Sequence, residues 1–86
     1  LDITDYIDIM TMWFRDLLMV KISNSPNKLI FKDEFSVMKK QASHVSYEGL
    51  EEILQALDKL KIRLEANVNF DIAMELMLLT MKENLK

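Results

Sequence analysis

The sequence predicts an all-α fold, a small bundle of four helices with a five-helix bundle as the alternative. Apolar residues recur at three- and four-residue intervals over long stretches, which is the spacing of one helix face. The 86 residues include one glycine and one proline, too few for the tight turns of a sheet-rich fold. Half of the residues are apolar, which supports a core in a chain of this length. We expect one helical domain over residues 1–86.

The first helix is predicted to run from Ile3 to about Lys21. Asp2 or Thr4 can cap it, and Asp5 lies where a capping-box carboxylate would lie. One apolar face contains Ile3, Ile7, Met10, Phe14 and Leu17. A second apolar face contains Tyr6, Ile9, Trp13 and Val20. A helix with two apolar faces is typically buried on more than one side.

The segment after the first helix is predicted to be a loop followed by a brief helix. Residues 23–27 are polar turn formers around the only proline, which ends the first helix. Residues 29–31 form an apolar run too isolated to build a sheet. Asp33 can cap the brief helix, whose inward residues would be Phe35, Met38 and Ala42.

The third helix is predicted to be amphipathic in the ordinary way, with one buried and one solvated face. Ser46 can cap it, and Glu48 lies in its first turn. Its apolar stripe contains Leu50, Ile53, Leu54, Leu57, Leu60 and Leu64. Gly49 weakens the first turn by about 1 kcal/mol relative to alanine, so we expect fraying there.

A joint at residues 67–69 separates the third helix from the last. Asn67 is predicted to be a C-cap because asparagine tolerates the left-handed conformation, and Asn69 is predicted to be an N-cap. One face of the last helix contains Ala73, Met74, Met77, Leu78 and Met81. Ile72, Leu76 and Leu79 are apolar on the other side. The helix is too short to cross a bilayer, which takes about 20 apolar residues, so no membrane partner is expected.

The two helices with apolar residues on both sides predict a subunit interface. The candidate interface residues are Ile9, Trp13, Ile72, Leu76 and Leu79. Six of the seven methionines lie in these two helices, and methionine fills gaps in cores and also forms adaptable binding surfaces. Trp13 has the same two interpretations, a core residue or an interface anchor.

Residue types that carry catalysis or bind cofactors are scarce. A single glycine excludes a P-loop and a dinucleotide-binding fingerprint. His44 is the only histidine and cysteine is absent, so a transition-metal site is not expected. We therefore predict no catalytic residues, no metal and no cofactor, and we do not expect this chain to be an enzyme.

The charge distribution argues against a general nucleic-acid-binding domain. The formal net charge is −3, whereas such domains are usually basic. Residues 1–16 have four aspartates and one arginine, and residues 21–40 have five lysines against Asp33 and Glu34. The basic segment 21–40 is either a solvated loop or a contact for an acidic partner or a phosphate backbone.

Two motifs resemble the C-terminal collar domain of the delta-prime subunit of the bacterial DNA polymerase III clamp loader. One is the run from Leu64 to Asn69, L-E-A-N-V-N, with the apolar helix that follows it. The other is Trp13 to Leu18, W-F-R-D-L-L. Their order and separation bracket nearly the whole chain. The residues that match the family pattern are Trp13, Arg15, Asp16, Leu17, Leu18, Leu64, Asn67, Asn69, Glu75 and Leu78. The basic segment 21–40 matches no firm family pattern.

The resemblance implies a cytoplasmic subunit-assembly domain without direct contact to DNA. In this family the helical collar holds five subunits in a ring, so the implied partners are the tau/gamma and delta subunits. The AAA+-type domain of the family lies upstream, and we expect this chain to be a fragment that lacks it. Three alternatives remain: the collar of tau/gamma or delta, a helix-turn-helix DNA-binding domain, and an unrelated regulatory docking domain.

Overall fold

The computed structural model describes residues 2–23, 25–66 and 69–85, and these residues form four α-helices. They are α1 (Ile3–Ser23), α2 (Phe35–Ala42), α3 (Tyr47–Glu65) and α4 (Phe70–Asn84). Two single-turn 3₁₀ helices, Pro26–Lys28 and Lys32–Glu34, connect α1 to α2. The described residues contain no strand, and the predicted all-α fold is confirmed.

A reciprocal capping box starts α1. The Asp2 Oδ1 atom accepts hydrogen bonds from the backbone N–H groups of Thr4 at 2.9 Å and Asp5 at 3.2 Å. Asp5 Oδ2 accepts one from the backbone N–H of Asp2 at 3.0 Å. Of the two predicted caps, Asp2 is therefore the residue that caps α1. The hydrogen bond from the Thr4 side chain, followed by that from the Asp5 backbone, lowers the pKa of Asp2 below its usual value.

The helices are neighbours in the order α2, α1, α3, α4. α1 packs against both α2 and α3, whereas the main helical neighbour of α4 is α3. The backbone measures 39 × 27 × 16 Å along its principal axes. Because α3 is its main helical neighbour, α4 is covered mainly from one side, which leaves much of the α4 surface outside the core.

The hydrophobic core is centred on α3. Its innermost residues, Leu50, Ile53, Leu57 and Leu60, are completely buried. The other helices contribute Ile7, Phe14, Leu17 and Val20 from α1, Met38 and Ala42 from α2, and Ala73 and Met77 from α4. Leu29 and Val45 from the connecting segments complete it.

The residues of two predicted apolar faces differ in burial. Val20 is buried, unlike Tyr6 and Ile9 of the same predicted face of α1, because it lies three residues after Leu17 and shares its side of the helix. Leu78 is 52% exposed, whereas Ala73 and Met77 of the same predicted face of α4 are buried. It follows the buried Met77, and successive helical residues point about 100° apart.

Gly49 is a packing position at the start of α3. The Ser46 side chain caps the helix by accepting a hydrogen bond from the Gly49 backbone N–H at 2.9 Å. A Cβ atom added at Gly49 would lie 3.0 Å from Ser46 Oγ and 3.1 Å from Asn84 Oδ1. The absence of a side chain therefore lets the end of α4 approach the start of α3. The sequence alone predicts only that Gly49 weakens the first turn of the helix.

Candidate subunit interface

A row of three exposed apolar side chains runs along the outer side of α4. Ile72, Leu76 and Leu79 are 55%, 46% and 53% exposed. Their spacing of four and three residues places them on one face of the helix. Ala73 and Met77, on the opposite side, are buried against the core. The structure thus places three of the five candidate interface residues in one continuous row, which we call the α4 row.

Polar interactions hold both ends of α4 and so fix the orientation of the α4 row. At the N-terminus, Asn69 Oδ1 accepts a hydrogen bond from the backbone N–H of Ile72 at 3.2 Å. At the C-terminus, Asn84 Nδ2 donates to Glu52 Oε2 of α3 and to the carbonyl oxygen of Thr80, both at 2.9 Å. The predicted C-cap Asn67 lies outside the described residues.

A surface groove between α3 and α4 borders the α4 row. Its volume is about 330 Å³, and Leu76 and Leu79 form part of its wall. Charged residues surround this wall: Glu52, Lys59 and Arg63 of α3 and Glu83 of α4. An apolar centre with a charged rim is the usual composition of a protein–protein interface.

The two candidate residues of α1 have different environments. Ile9 is 44% exposed. Trp13 is half-buried, its Nε1 atom donates a hydrogen bond to Gln41 Oε1 at 2.9 Å, and its ring centroid lies 5.6 Å from that of Phe31. The polar atom of Trp13 therefore has a partner within the chain, and its ring forms part of the packing between α1 and the α1–α2 connection. A contact of Trp13 with another subunit stays a prediction.

Asp16 is a buried carboxylate that the sequence analysis noted only as part of a motif. It is 3% exposed, and its two oxygens accept hydrogen bonds from the backbone N–H groups of Ile30 at 3.1 Å and Phe31 at 2.8 Å. The signal in the sequence was an aspartate within the largely apolar W-F-R-D-L-L run. Such an aspartate can be buried with the run, and a buried carboxylate is normally hydrogen-bonded. Arg15, its neighbour in the motif, is exposed.

One salt bridge joins the N-terminal part of α1 to the C-terminal part of α3. Lys61 Nζ lies 2.9 Å from Asp8 Oδ1, and both side chains are partly exposed. The hydrogen bond to Asp8, and then its charge, raise the pKa of Lys61 above the usual lysine value. The pair connects the two longest helices at the surface.

The basic segment 21–40 contributes two of its lysines to contacts within the chain. Lys21 Nζ donates a hydrogen bond to the Ala42 carbonyl oxygen at 2.7 Å, and Lys39 Nζ lies 6.0 Å from the centre of the Phe35 ring. Lys28, Lys32 and Lys40 are exposed. The segment therefore presents dispersed positive charge next to Asp33 and Glu34.

The described residues were compared with the requirements of a metal site and of a membrane-spanning helix. Within residues 2–23, 25–66 and 69–85, no group of three or more histidine, cysteine, aspartate or glutamate residues could hold a metal ion. In the same ranges no helix is long and apolar enough to cross a membrane.

Comparison with known proteins agrees with the two motifs. The family model described as "DNA polymerase III, delta subunit, C terminal" matches residues 1–83. The chain belongs to this family. The predicted clamp-loader C-terminal domain is therefore confirmed, and the residues that match its motifs, such as Trp13 and Asp16, can be read as residues of that domain.

A curated relative agrees with the family model. DNA polymerase III subunit delta' from Bacillus subtilis (strain 168) is 31% identical over 77 residues, which are 90% of this chain and 23% of the relative. This member of the delta C-terminal family thus spans less than a quarter of the length of that relative. No solved structure matches it significantly.

Proposed function

We propose that this chain is a subunit-assembly domain of the DNA polymerase III clamp loader, which places the sliding clamp on DNA. Its partners are the helical collar domains of the tau/gamma and delta subunits, and it works in the cytoplasm as a non-catalytic part of the replication machinery. The α4 row of Ile72, Leu76 and Leu79 is the observation that carries this proposal. Family membership and the resemblance to the delta-prime subunit supply the identity of the partners.

Exposure of the α4 row to water has an energetic cost. Burial of a leucine or isoleucine side chain stabilises a protein by about 1.5–3 kcal/mol relative to exposure. The three residues of the row are about half exposed, so a partner that covers them gains a substantial part of this energy. Contiguous exposed apolar surface of this kind usually marks a binding site. The charged rim of the adjacent groove, including Lys59 and Glu83, then selects the partner and its orientation.

Ile9 extends the proposal to α1. It is exposed like the α4 row, and its neighbour Tyr6, three residues earlier on the helix, is 52% exposed. α2 is only eight residues long, whereas α1 has 21, so α2 covers only part of α1. A ring of subunits requires each domain to contact two neighbours. We assign the α4 row to one neighbour and the region around Ile9 to the other.

Co-purification of this chain with the other subunits tests the proposal. The variant Leu79→Asp places a charge at the C-terminal end of the α4 row, and we expect it to prevent association with the tau/gamma and delta collar domains in size-exclusion chromatography. Circular dichroism of the variant should remain that of a folded helical protein, because the side chain is 53% exposed. The matched control is Val37→Asp, the same charge placed at a 45% exposed apolar residue of α2.

The result of the paired experiment is decisive in either direction. Loss of association for Leu79→Asp and retention for Val37→Asp supports the proposal. Normal association of folded Leu79→Asp, or equal loss for both variants, overturns the assignment of the interface to the α4 row.

A further inference from the structure

A second surface feature of α4 lies beside the α4 row and combines apolar and charged residues. Glu75, Leu78, Leu79 and Lys82 line a shallow depression of about 390 Å³ on one side of the helix. Leu78 and Leu79 are 52% and 53% exposed, and Glu75 and Lys82 are exposed as well. We call these four residues the α4 patch. Along the helix its order is acid, two leucines, base.

The two charges of the α4 patch have no ionic partner among the described residues. Within these residues the one salt bridge is that between Lys61 and Asp8. Glu75 and Lys82 are seven residues apart, about 10.5 Å along the helix axis, which is too far for a direct pair within α4. Both charges are therefore available to a partner that also covers Leu78 and Leu79.

The α4 patch is complementary to a second copy of itself in the antiparallel orientation. When two copies of α4 run antiparallel with residue 75 opposite residue 82 of the other copy, the acid of each copy meets the base of the other. The same register places Leu78 of each copy opposite Leu79 of the other. A two-fold interface requires this property, in which one surface pairs with itself by exchanging its two ends. We infer that the α4 patch binds a second copy of this chain in an antiparallel arrangement.

The helical spacing agrees with close packing of two helices. Ile72, Glu75, Leu79 and Lys82 alternate intervals of three and four residues, which is the spacing of a coiled-coil seam. The opposite side of α4, with Ala73 and Met77, is buried in the core, so a second helix can approach the seam from solvent. A parallel pair would instead place Glu75 opposite Glu75 and Lys82 opposite Lys82, and like charges in register disfavour it.

The size of the α4 patch implies a weak dimer. α4 has 15 residues and is about 22 Å long, so two such helices bury less than the roughly 800 Å² per partner of a standard interface. We expect a dissociation constant between about 1 μM and 1 mM. The inference does not rest on the proposed function, although Leu79 belongs to both surfaces: a neighbouring subunit on the α4 row would displace the second copy.

Charge exchange within the α4 patch tests the inference by sedimentation equilibrium of the 86-residue chain over a range of concentrations. Glu75→Lys and Lys82→Glu each place like charges together twice in the dimer, and each should weaken dimerisation about tenfold or more. The double variant Glu75→Lys/Lys82→Glu restores both attractive pairs and should dimerise within about threefold of the natural chain. An equimolar mixture of the two single variants should form a mixed dimer of similar affinity. The control Glu65→Lys makes the same charge change at an exposed residue of α3.

Each outcome bears on the inference separately from the proposed function. Weak dimers that the single exchanges disrupt and the double exchange restores support the antiparallel register. A natural chain that stays monomeric to about 1 mM, a double variant as weak as the single variants, or an equal effect of Glu65→Lys overturns it. If the dimer behaves as expected but the chain does not co-purify with the other clamp-loader subunits, the proposed function fails and this inference stands. If the chain co-purifies with the other subunits but forms no dimer, the proposed function stands and this inference fails.

Discussion

The Asp16 carboxylate accepts a hydrogen bond from the Phe31 backbone N–H at 2.8 Å, and this contact joins the middle of α1 to the segment before α2. The second oxygen of Asp16 accepts from the Ile30 backbone N–H at 3.1 Å. Phe31, held in this way, packs its ring against Trp13 one helical turn before Asp16. Two residues of the W-F-R-D-L-L motif therefore contact the same loop. Asp16 binds its backbone, and Trp13 packs against the side chain of Phe31.

Removal of the Asp16 carboxylate should destabilise the protein and loosen this loop. Asp16→Ala leaves two backbone N–H groups without their partner, and we expect a loss of about 2 kcal/mol in the free energy of unfolding. Trp13 is the only tryptophan, so its fluorescence reports on the same region and should shift to longer wavelength. Urea denaturation measures the first effect. The exposed Asp33→Ala is the control. An Asp16→Ala variant with unchanged stability and emission would contradict the assigned role.

The N-cap of α4 provides a second test. Asn69→Ala removes the side-chain oxygen that accepts from the Ile72 backbone N–H and should cost about 1 kcal/mol of stability. Asn69→Ser retains a good capping group and should cost much less. Thermal unfolding followed by circular dichroism compares the two variants. Equal melting temperatures for alanine and serine would show that the cap does not stabilise α4.

The salt bridge between Lys61 and Asp8 predicts a dependence of stability on pH. The pKa of Lys61 is raised in the folded protein, so its contribution is fully present below the unfolded value of 10.5 and is lost as the pH rises through the higher folded value. The stability difference between the natural chain and Lys61→Met should therefore shrink above about pH 10.5. Lys59→Met, at an exposed lysine of the same helix, serves as the control in urea denaturation at several pH values. A Lys61→Met difference that stays constant through this range, or that Lys59→Met reproduces, would refute the assignment.

Hydrophobic periodicity was sufficient to predict the four helices, because each has an apolar face at the helical spacing. α3 illustrates this best: Leu50, Ile53, Leu57 and Leu60 were predicted to face inward and are completely buried. α1 and α4 were harder, since residues on both sides are apolar and periodicity alone does not say which side meets the core. The exposure of Val20 and of Leu78 accordingly differs from that of other residues on their predicted faces.

Contacts between distant segments could not be predicted from the sequence. The bond from Trp13 Nε1 to Gln41 spans 28 residues, and the bond from Lys61 to Asp8 spans 53. Nothing in local sequence distinguishes these polar residues from their solvated neighbours. The exposure of Ile9, Ile72, Leu76 and Leu79 follows likewise from the packing order of the helices, which leaves α4 covered mainly by α3.

Weak binding to DNA is a further prediction. Glu48, Glu51 and Glu52 are exposed in the N-terminal part of α3, the helix that would enter the groove in a helix-turn-helix interpretation, and they would repel the phosphates. We expect fluorescence anisotropy to show binding to duplex DNA no tighter than about 10⁻⁶ to 10⁻⁴ M at physiological salt. A basic protein of known non-specific affinity serves as the positive control. Sequence-selective binding below about 1 μM would favour the helix-turn-helix alternative over an assembly domain.

The central claim, that another clamp-loader subunit covers the α4 row, can be tested by thiol accessibility in the assembled complex. The sequence contains no cysteine, so the variant Leu79→Cys introduces a single thiol at the C-terminal end of the α4 row. Val37→Cys introduces one on α2, where the natural side chain is 45% exposed. Both variants should react rapidly with a thiol reagent in the isolated chain. We predict that assembly with the tau/gamma and delta subunits slows the reaction of Leu79→Cys at least about tenfold, as for a residue buried at an interface, and leaves Val37→Cys unchanged. Equal reaction rates of Leu79→Cys in the free chain and in the complex would contradict the claim.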